Sequence, residues 1–323
     1  MKKALIIGID QYEPRFPNRQ NGVASAHEIT QLLATNEGYS DSQGEPNFDC
    51  KLITGSQQGS SKVTRAVIKQ HCKALLEDEE ADVALLYFSG YGLSDESGEF
   101  LVTQDAEEYD EGFALNDLMI YVNNSSIKEI NIILNSQYRE STVYKTNQNY
   151  TLLRKGVSIL SVRNFNEQAK DLFAELMIAS LNGSNADYLG NVTFLELYEQ
   201  SVDILNGLGY LIDFKSNISR LTVLRKTRPK ISYDLLLKIR SYFHQPNYYY
   251  KLDKEHIPSQ GLGNERKQKE YKQLQKLLKQ GLVKPVNAYH MYYAALNEKH
   301  CKLTDRGKQY WHLLEQKITT ISK

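Results

Sequence analysis

Asp82-Val83-Ala84-Leu85-Leu86-Tyr87-Phe88-Ser89-Gly90-Tyr91-Gly92 carries an unbroken apolar run that stops at a Gly-Tyr-Gly step. A short run without polar alternation suits a strand buried on both faces, the kind found in parallel sheets. Residues 4–9, 130–134 and 157–162 repeat that pattern, and residues 24–33, 63–76 and 170–181 read as helices between the strands. In 24–33 the apolar positions 26, 29, 32 and 33 fall on one helical face. Strand and helix alternate, which predicts an α/β domain with helices on both faces of a mostly parallel sheet. Function in such sheets sits beyond the carboxyl ends of the strands. Two segments at such ends, Ser89-Gly90-Tyr91-Gly92 and Asn135-Ser136-Gln137-Tyr138, are therefore expected to be loops that bear the site.

The series KALIIGIDQY, NGVASAHEITQLL, VALLYFSGYG, INIILNSQYRE, GVSILSV and LFAELMIASLNGSNADYLGNVTFLELYE resembles, in order, the caspase-like peptidase domain of bacterial metacaspases and orthocaspases. The resemblance covers residues 1–225. It implies a caspase-like sheet in which the strand before Ser89 delivers a histidine and the strand before Asn135 delivers a nucleophilic cysteine. Tyr91 stands at the histidine position and Gln137 at the cysteine position, 46 residues apart, against about 50 for a caspase pair. Family positions that line an acidic pocket for a basic substrate side chain carry Ser25 and Asn135.

Peptide cleavage of this kind needs a thiolate and an imidazole that hands a proton to the leaving amine. Gln137 has no such nucleophilic atom, and a tyrosine, with an ordinary pKa of about 10, is a poor base at neutral pH. A shifted register puts Ser136 at the nucleophile position, giving a Tyr91/Ser136 pair without a His or Lys base. The expectation is a protein without peptidase activity; the alternative is a divergent peptidase that uses Ser136 or a site completed by a partner.

The whole chain excludes several classes. Its 323 residues hold 39 basic and 39 acidic side chains and 41% hydrophobic residues, the profile of folded soluble protein. No apolar run approaches the ~18 residues of a membrane span, and the lysines at 2 and 3 introduce a first strand rather than a leader, so a cytoplasmic protein is expected. Cys50, Cys72 and Cys301 form neither an even framework nor a CxxC pair, and the seven histidines show no ligand spacing. Gly8-Ile9-Asp10-Gln11 is no phosphate loop. The acidic stretch from Asp95 to Glu111 lacks the spacing of a dedicated calcium site and reads as solvated surface. No metal or cofactor is expected.

Neutrality overall conceals two opposite modules. Residues 230–323 hold 18 basic and 8 acidic side chains, +10, which leaves 21 and 31, −10, for residues 1–229. The change falls beside Arg225-Lys226-Thr227-Arg228-Pro229, so 226–230 is the expected linker and 231–323 a second domain. There, a helix over 231–244, a basic helix over 265–279 closed by Gly281, a strand over 290–296, a turn over 297–299 and a last helix over 308–318 resemble a winged helix-turn-helix. The phrases LLKQGLVKP and KLTDRGKQYW carry that resemblance. It implies contact with DNA, RNA or a protein through Arg266, Lys267, Lys269, Lys272 and Lys276.

The expected function is a catalytically inactive caspase-like component that binds or regulates, by analogy in a bacterial regulatory or defence pathway, with a protein or peptide partner. A DNA-binding transcription factor with a peptide-sensing first domain is the third possibility.

Overall fold

The computed structural model describes residues 1–12, 14–37, 44–55, 62–96, 98–108, 110–138, 153–165, 171–258 and 264–321, except the side chains of 111 and 316–321. Residue 170 of the expected helix and the Glu111 carboxylate lie outside the described residues. The chain divides into two compact units, Met1–Arg228 and Pro229–Lys323.

The first unit runs β1 (Lys2–Ile9), α1 (Gly22–Ala34), β2 (Thr35–Asn36), β3 (Glu45–Pro46), β4 (Asp49–Gly55), α2 (Arg65–Leu76), β5 (Val83–Ser94), β6 (Glu99–Glu107), β7 (Asp110–Ala114), α3 (Leu115–Asn124), β8 (Glu129–Gln137), β9 (Val157–Asn164), α4 (Leu172–Leu181), β10 (Asn191–Thr193), α5 (Phe194–Asn206), β11 (Leu211–Asn217) and β12 (Val223–Lys226). The main sheet has the order β11-β9-β8-β5-β1-β4, parallel throughout except for the antiparallel edge strand β11. This is a mostly parallel α/β sheet with a core on each face, as the continuous apolar runs require. Side chains alternate across each strand. Leu5, Ile7 and Ile9 of β1 and Ile130, Ile132 and Leu134 of β8 pack with α2 and α3. Ala4 and Ile6 of β1 and Ile133 of β8 pack with α1, α4 and α5 on the other face.

The two expected loops are strand, apart from Tyr138. β5 continues to Ser94 because its end pairs with β6, Gly92 opposite Leu101 and Ser94 opposite Glu99. Its parallel register with β8 holds to the tip, with Ser89 beside Asn135, Gly90 beside Ser136 and Tyr91 beside Gln137. The glycines make room rather than a turn. A Cβ on Gly90 would stand 2.3 Å from the Tyr12 hydroxyl and 2.5 Å from the Phe88 ring, and one on Gly92 would stand 2.6 Å from the Tyr138 ring.

Residues 226–228 of the expected linker are bonded to the first unit. β12 pairs with β10, and the N–H groups of Lys226, Thr227 and Arg228 donate to Asn36 Oδ1, Gly190 O and Glu37 Oε2 at 2.8, 2.7 and 2.9 Å.

The second unit runs α6 (Tyr233–Tyr242), β13 (Tyr249–Lys251), a 3-10 turn (Lys254–His256), α7 (Glu265–Lys279), β14 (Val283–Val286), α8 (Met291–Leu296), β15 (His300–Leu303) and α9 (Asp305–Ile321). Its strands form an antiparallel sheet in the order β13-β15-β14. The strand expected over 290–296 is instead the helix α8. Its apolar positions 291, 294 and 295 are the i, i+3, i+4 set of a helix and are all buried, and His290 Nδ1 accepts the Tyr292 N–H at its start. β14 and β15 are thus joined through a helix rather than through a hairpin. β13 falls between the two expected helices, its three residues being too few to give a periodic signal.

Candidate functional site

The carboxyl ends of β1, β5 and β8 meet a group of polar side chains from the loop before α1 and from the start of α4. Asp10, just past β1, accepts the N–H groups of Gly22 and Val23 at 2.9 and 3.0 Å, the first orphan donors of α1. Asn21, at the cap position itself, is left-handed and makes no side-chain cap bond. Burial raises the Asp10 carboxyl above its ordinary range, against the pull of those N–H bonds and of Arg19.

Arg19 lies at the centre of the group. Its Nε donates to Gln137 Oε1 at 3.2 Å, its Nη1 to Ser89 Oγ at 3.3 Å, and its Nη2 stands 3.7 Å from Asp171 Oδ2. The Arg19 and Asp171 side chains are only 6% and 7% exposed. Asp171 caps α4 by accepting the Ala174 N–H at 3.2 Å. Its two oxygens also take the Asn135 amide at 2.8 Å each, and one takes the Ser89 hydroxyl at 3.3 Å. Asn135 reaches Tyr87 Oη at 3.4 Å, and burial raises the pKa of that phenol.

Tyr91 is sealed beside this group. Its ring lies 5.0 Å edge-on from Tyr12 and 5.2 Å from Phe16, its N–H donates to the Tyr12 hydroxyl at 3.0 Å, and the Arg19 guanidinium stands 5.9 Å from its centroid. Tyr91 is 2% exposed, against 3% for Ser136 and 7% for Gln137. The Arg19 donor fixes the orientation of the Gln137 amide, because its oxygen must face Nε. Among the described residues, the buried Gln137 Nε2 has no hydrogen-bond partner.

The structure thus brings Tyr91, Gln137 and Asn135 to adjoining strand ends. Strand alternation puts Ser136 on the opposite face of β8 from Asn135 and Gln137. Ser25 sits half-buried within α1, and the bonds described for the cluster do not involve it. The first unit has two histidines, His27 exposed on α1 and His71 on α2, both away from the strand ends. Burial pushes the thiols of Cys50 and Cys72 up to about 12, so neither carries thiolate at neutral pH. Arg19, Asp10 and Asp171 escape a sequence reading: Asp171 carries a helix-start signal, whereas Arg19 lies 118 residues from Gln137 with no motif to link them.

A cleft enclosing about 440 Å³, open mouth included, lies on the α3 side of β8, β9 and β11. Leu118, Ile132 and Leu134 are among its apolar lining, and Arg163 lies in it with Glu99 and Asp213, with which it forms ion pairs. Tyr91 and Gln137 do not line it. The acidic stretch is engaged piecemeal: Glu99 with Arg163, Asp110 with the Arg65 side chain, and Asp105 with the Arg65 N–H. Among the described residues no three His, Cys, Asp or Glu side chains gather in a way that would hold a metal ion, and no helix is long and apolar enough to cross a membrane.

On α7 the expected contact residues divide. Lys267 Nζ is held by Asp253 at 2.5 Å and Glu255 at 2.9 Å, which raise its pKa, and Arg266 pairs with Glu270 at 3.0 Å. Lys269, Lys272 and Lys276 are exposed, on the face opposite the buried Tyr271, Leu274 and Leu277.

Residues 1–137 match the family model of the caspase domain, peptidase C14. Among solved structures the chain is similar to protein GSU0716 from Geobacter sulfurreducens, at 14% identity over 71% of this chain and 97% of that one, with a TM-score of 0.45. Caspase-1 from Spodoptera frugiperda is similar at 11% identity over 70% and 90% of the two chains, TM-score 0.45. The pro form, pro-sf-caspase-1, gives 12%, 69%, 93% and 0.44. No curated protein matches the chain.

Proposed function

We propose that the first unit is a caspase-like domain without peptidase chemistry that serves as a binding or regulatory component, and that the second unit is winged-helix-like, with a short helix in place of the wing, and contacts nucleic acid. The observation that carries the first half is Arg19. Its guanidinium is bonded to Gln137 and Ser89 where a thiolate and an imidazole would have to approach each other. A peptidase needs a deprotonated nucleophile and a base there; this chain offers an amide and a phenol packed between two aromatic rings. The +10 balance of residues 230–323 supports the second half, since a basic surface is the electrostatic footprint of polyanion binding.

The test is hydrolysis of fluorogenic peptides with Arg, Lys or Asp before the scissile bond, by wild type and Ser136→Ala. Equal, background-level turnover is the expected result. Turnover that vanishes in Ser136→Ala overturns the inactive reading and establishes a divergent peptidase.

A further inference from the structure

The exposed face of the second unit's sheet is a second cationic surface, separate from α7. Cross-strand partners share a face. One row runs Tyr249, Lys302, Lys284, and the next runs Lys251, His300, Val286. The opposite face, with Cys301, Leu303 and Val283, is buried. The open face therefore shows three lysines, a histidine and a tyrosine, and no carboxylate from its three strands. Among the described residues none of these lysines is in an ion pair, in contrast to Lys267 and Arg266 on α7. Tyr249 is 48% exposed, with Lys302 Nζ 5.3 Å from its ring centroid and His300 edge-on at 6.3 Å.

We propose that this face binds a single-stranded polynucleotide, through phosphates on Lys251, Lys284 and Lys302 and a base stacked on Tyr249. The proposal rests on the nucleic-acid reading of the second unit and names its contact surface. Charge complementarity selects a polyanion. The exposed ring selects one with free aromatic faces, because stacking on an aromatic side chain requires unpaired bases. Strand spacing of ~4.8 Å and a two-residue rise of ~6.8 Å set the cations apart on the scale of successive nucleotides. No side-chain amide or carboxylate of the three strands reads base edges on this face, and phosphate and base faces are common to DNA and RNA. Single-stranded DNA and RNA are therefore expected to bind alike.

The test is fluorescence anisotropy of the full chain with labelled oligo(dT), oligo(U) and a duplex of the same length, across a salt series. The expected result is that both single strands bind more tightly than the duplex. Tyr249→Ala then weakens single-strand binding by roughly ten-fold, within the range of one lost stacking contact, while Tyr249→Phe retains it. Lys284→Glu with Lys302→Glu lowers the salt slope by about 1.4, two contacts at ~0.7 each. Lys272→Glu with Lys276→Glu weakens binding less than the sheet pair does. If that α7 variant abolishes binding and the sheet variants do not, this inference falls while the nucleic-acid reading stands. If no oligonucleotide binds at low salt, both fall. Competition by polyglutamate as effective as by oligo(dT) also overturns it, since the ring would then contribute nothing.

Discussion

Arg19 and Lys302 both lie where strands meet ligand-sized chemistry, yet their surroundings are opposite. Arg19 is enclosed with two carboxylates and two uncharged acceptors, Gln137 and Ser89, at the strand ends of the first unit. Lys302 stands half-exposed on an open sheet, beside an aromatic ring and other lysines. A buried ion in a satisfied network has its charge committed to the fold, because removing it strands its partners in low dielectric. An unpaired surface cation costs the fold little and remains available to a partner. The first region thus answers to stability measurements and the second to binding measurements.

The largest separation is expected from Arg19→Met. Leaving Asp171 and Asp10 without their cation should cost about 3–5 kcal/mol, the range for a broken buried pair, and chemical denaturation of the full chain measures it. Lys302→Met should stay within about 0.5 kcal/mol of wild type in the same experiment. A loss at Arg19 no larger than at Lys302 breaks the comparison.

A smaller effect is expected at the packing level. Gly90→Ala forces a methyl against the Tyr12 hydroxyl and the Phe88 ring, and overpacking of this kind costs roughly 1–3 kcal/mol. Thermal melts should show the loss for Gly90→Ala and none for Lys272→Ala, an exposed helix position.

Much of the first unit was legible because its strands are buried on both faces, so apolar runs such as 83–88 mark them without any alternation to decode. The strand tips were not. Ser89 to Gly92 read as a loop because Gly and Ser are weak strand formers, whereas the β6 hairpin and the β8 register hold them extended. The same limit hid the site: the resemblance points to Tyr91, Gln137 and Asn135, but Arg19, which bonds Gln137 and stands 5.9 Å from the Tyr91 ring, lies in a connection. In the second unit, residues 290–296 are expected as a strand, and the burial of 291, 294 and 295 reveals the helical period of Met291–Leu296.

Proteolysis sharpens where the two regions part. Arg225 is buried and donates to Thr35 O and Leu181 O, and residues 226–228 are bonded to the first unit, whereas Lys230 is exposed. Native trypsin digestion should therefore cut at Lys230 before Arg225, releasing a first fragment of residues 1–230. An early cut at Arg163, within β9, would contradict this boundary.

The smallest effect concerns Asp10. Its folded pKa is raised above 3.8 by burial, so the folded state holds that proton more tightly than the unfolded chain, and its contribution falls as pH rises from the unfolded value through the folded one. Asp10→Asn lacks this decline. The stability difference between Asp10→Asn and wild type should move in favour of the variant across that window and be flat above it. A shift in the opposite direction would mean that Arg19 and the Gly22 and Val23 N–H groups outweigh burial.

The central claim is that the strand ends hold a sealed polar core in place of a peptidase centre. Incubation of the full chain with a diverse synthetic peptide library, with new termini read by mass spectrometry, tests it most directly. The account predicts the same products, at background level, for wild type, Ser136→Ala and Tyr91→Phe; a set of cleavages present in wild type and lost in either variant would contradict it.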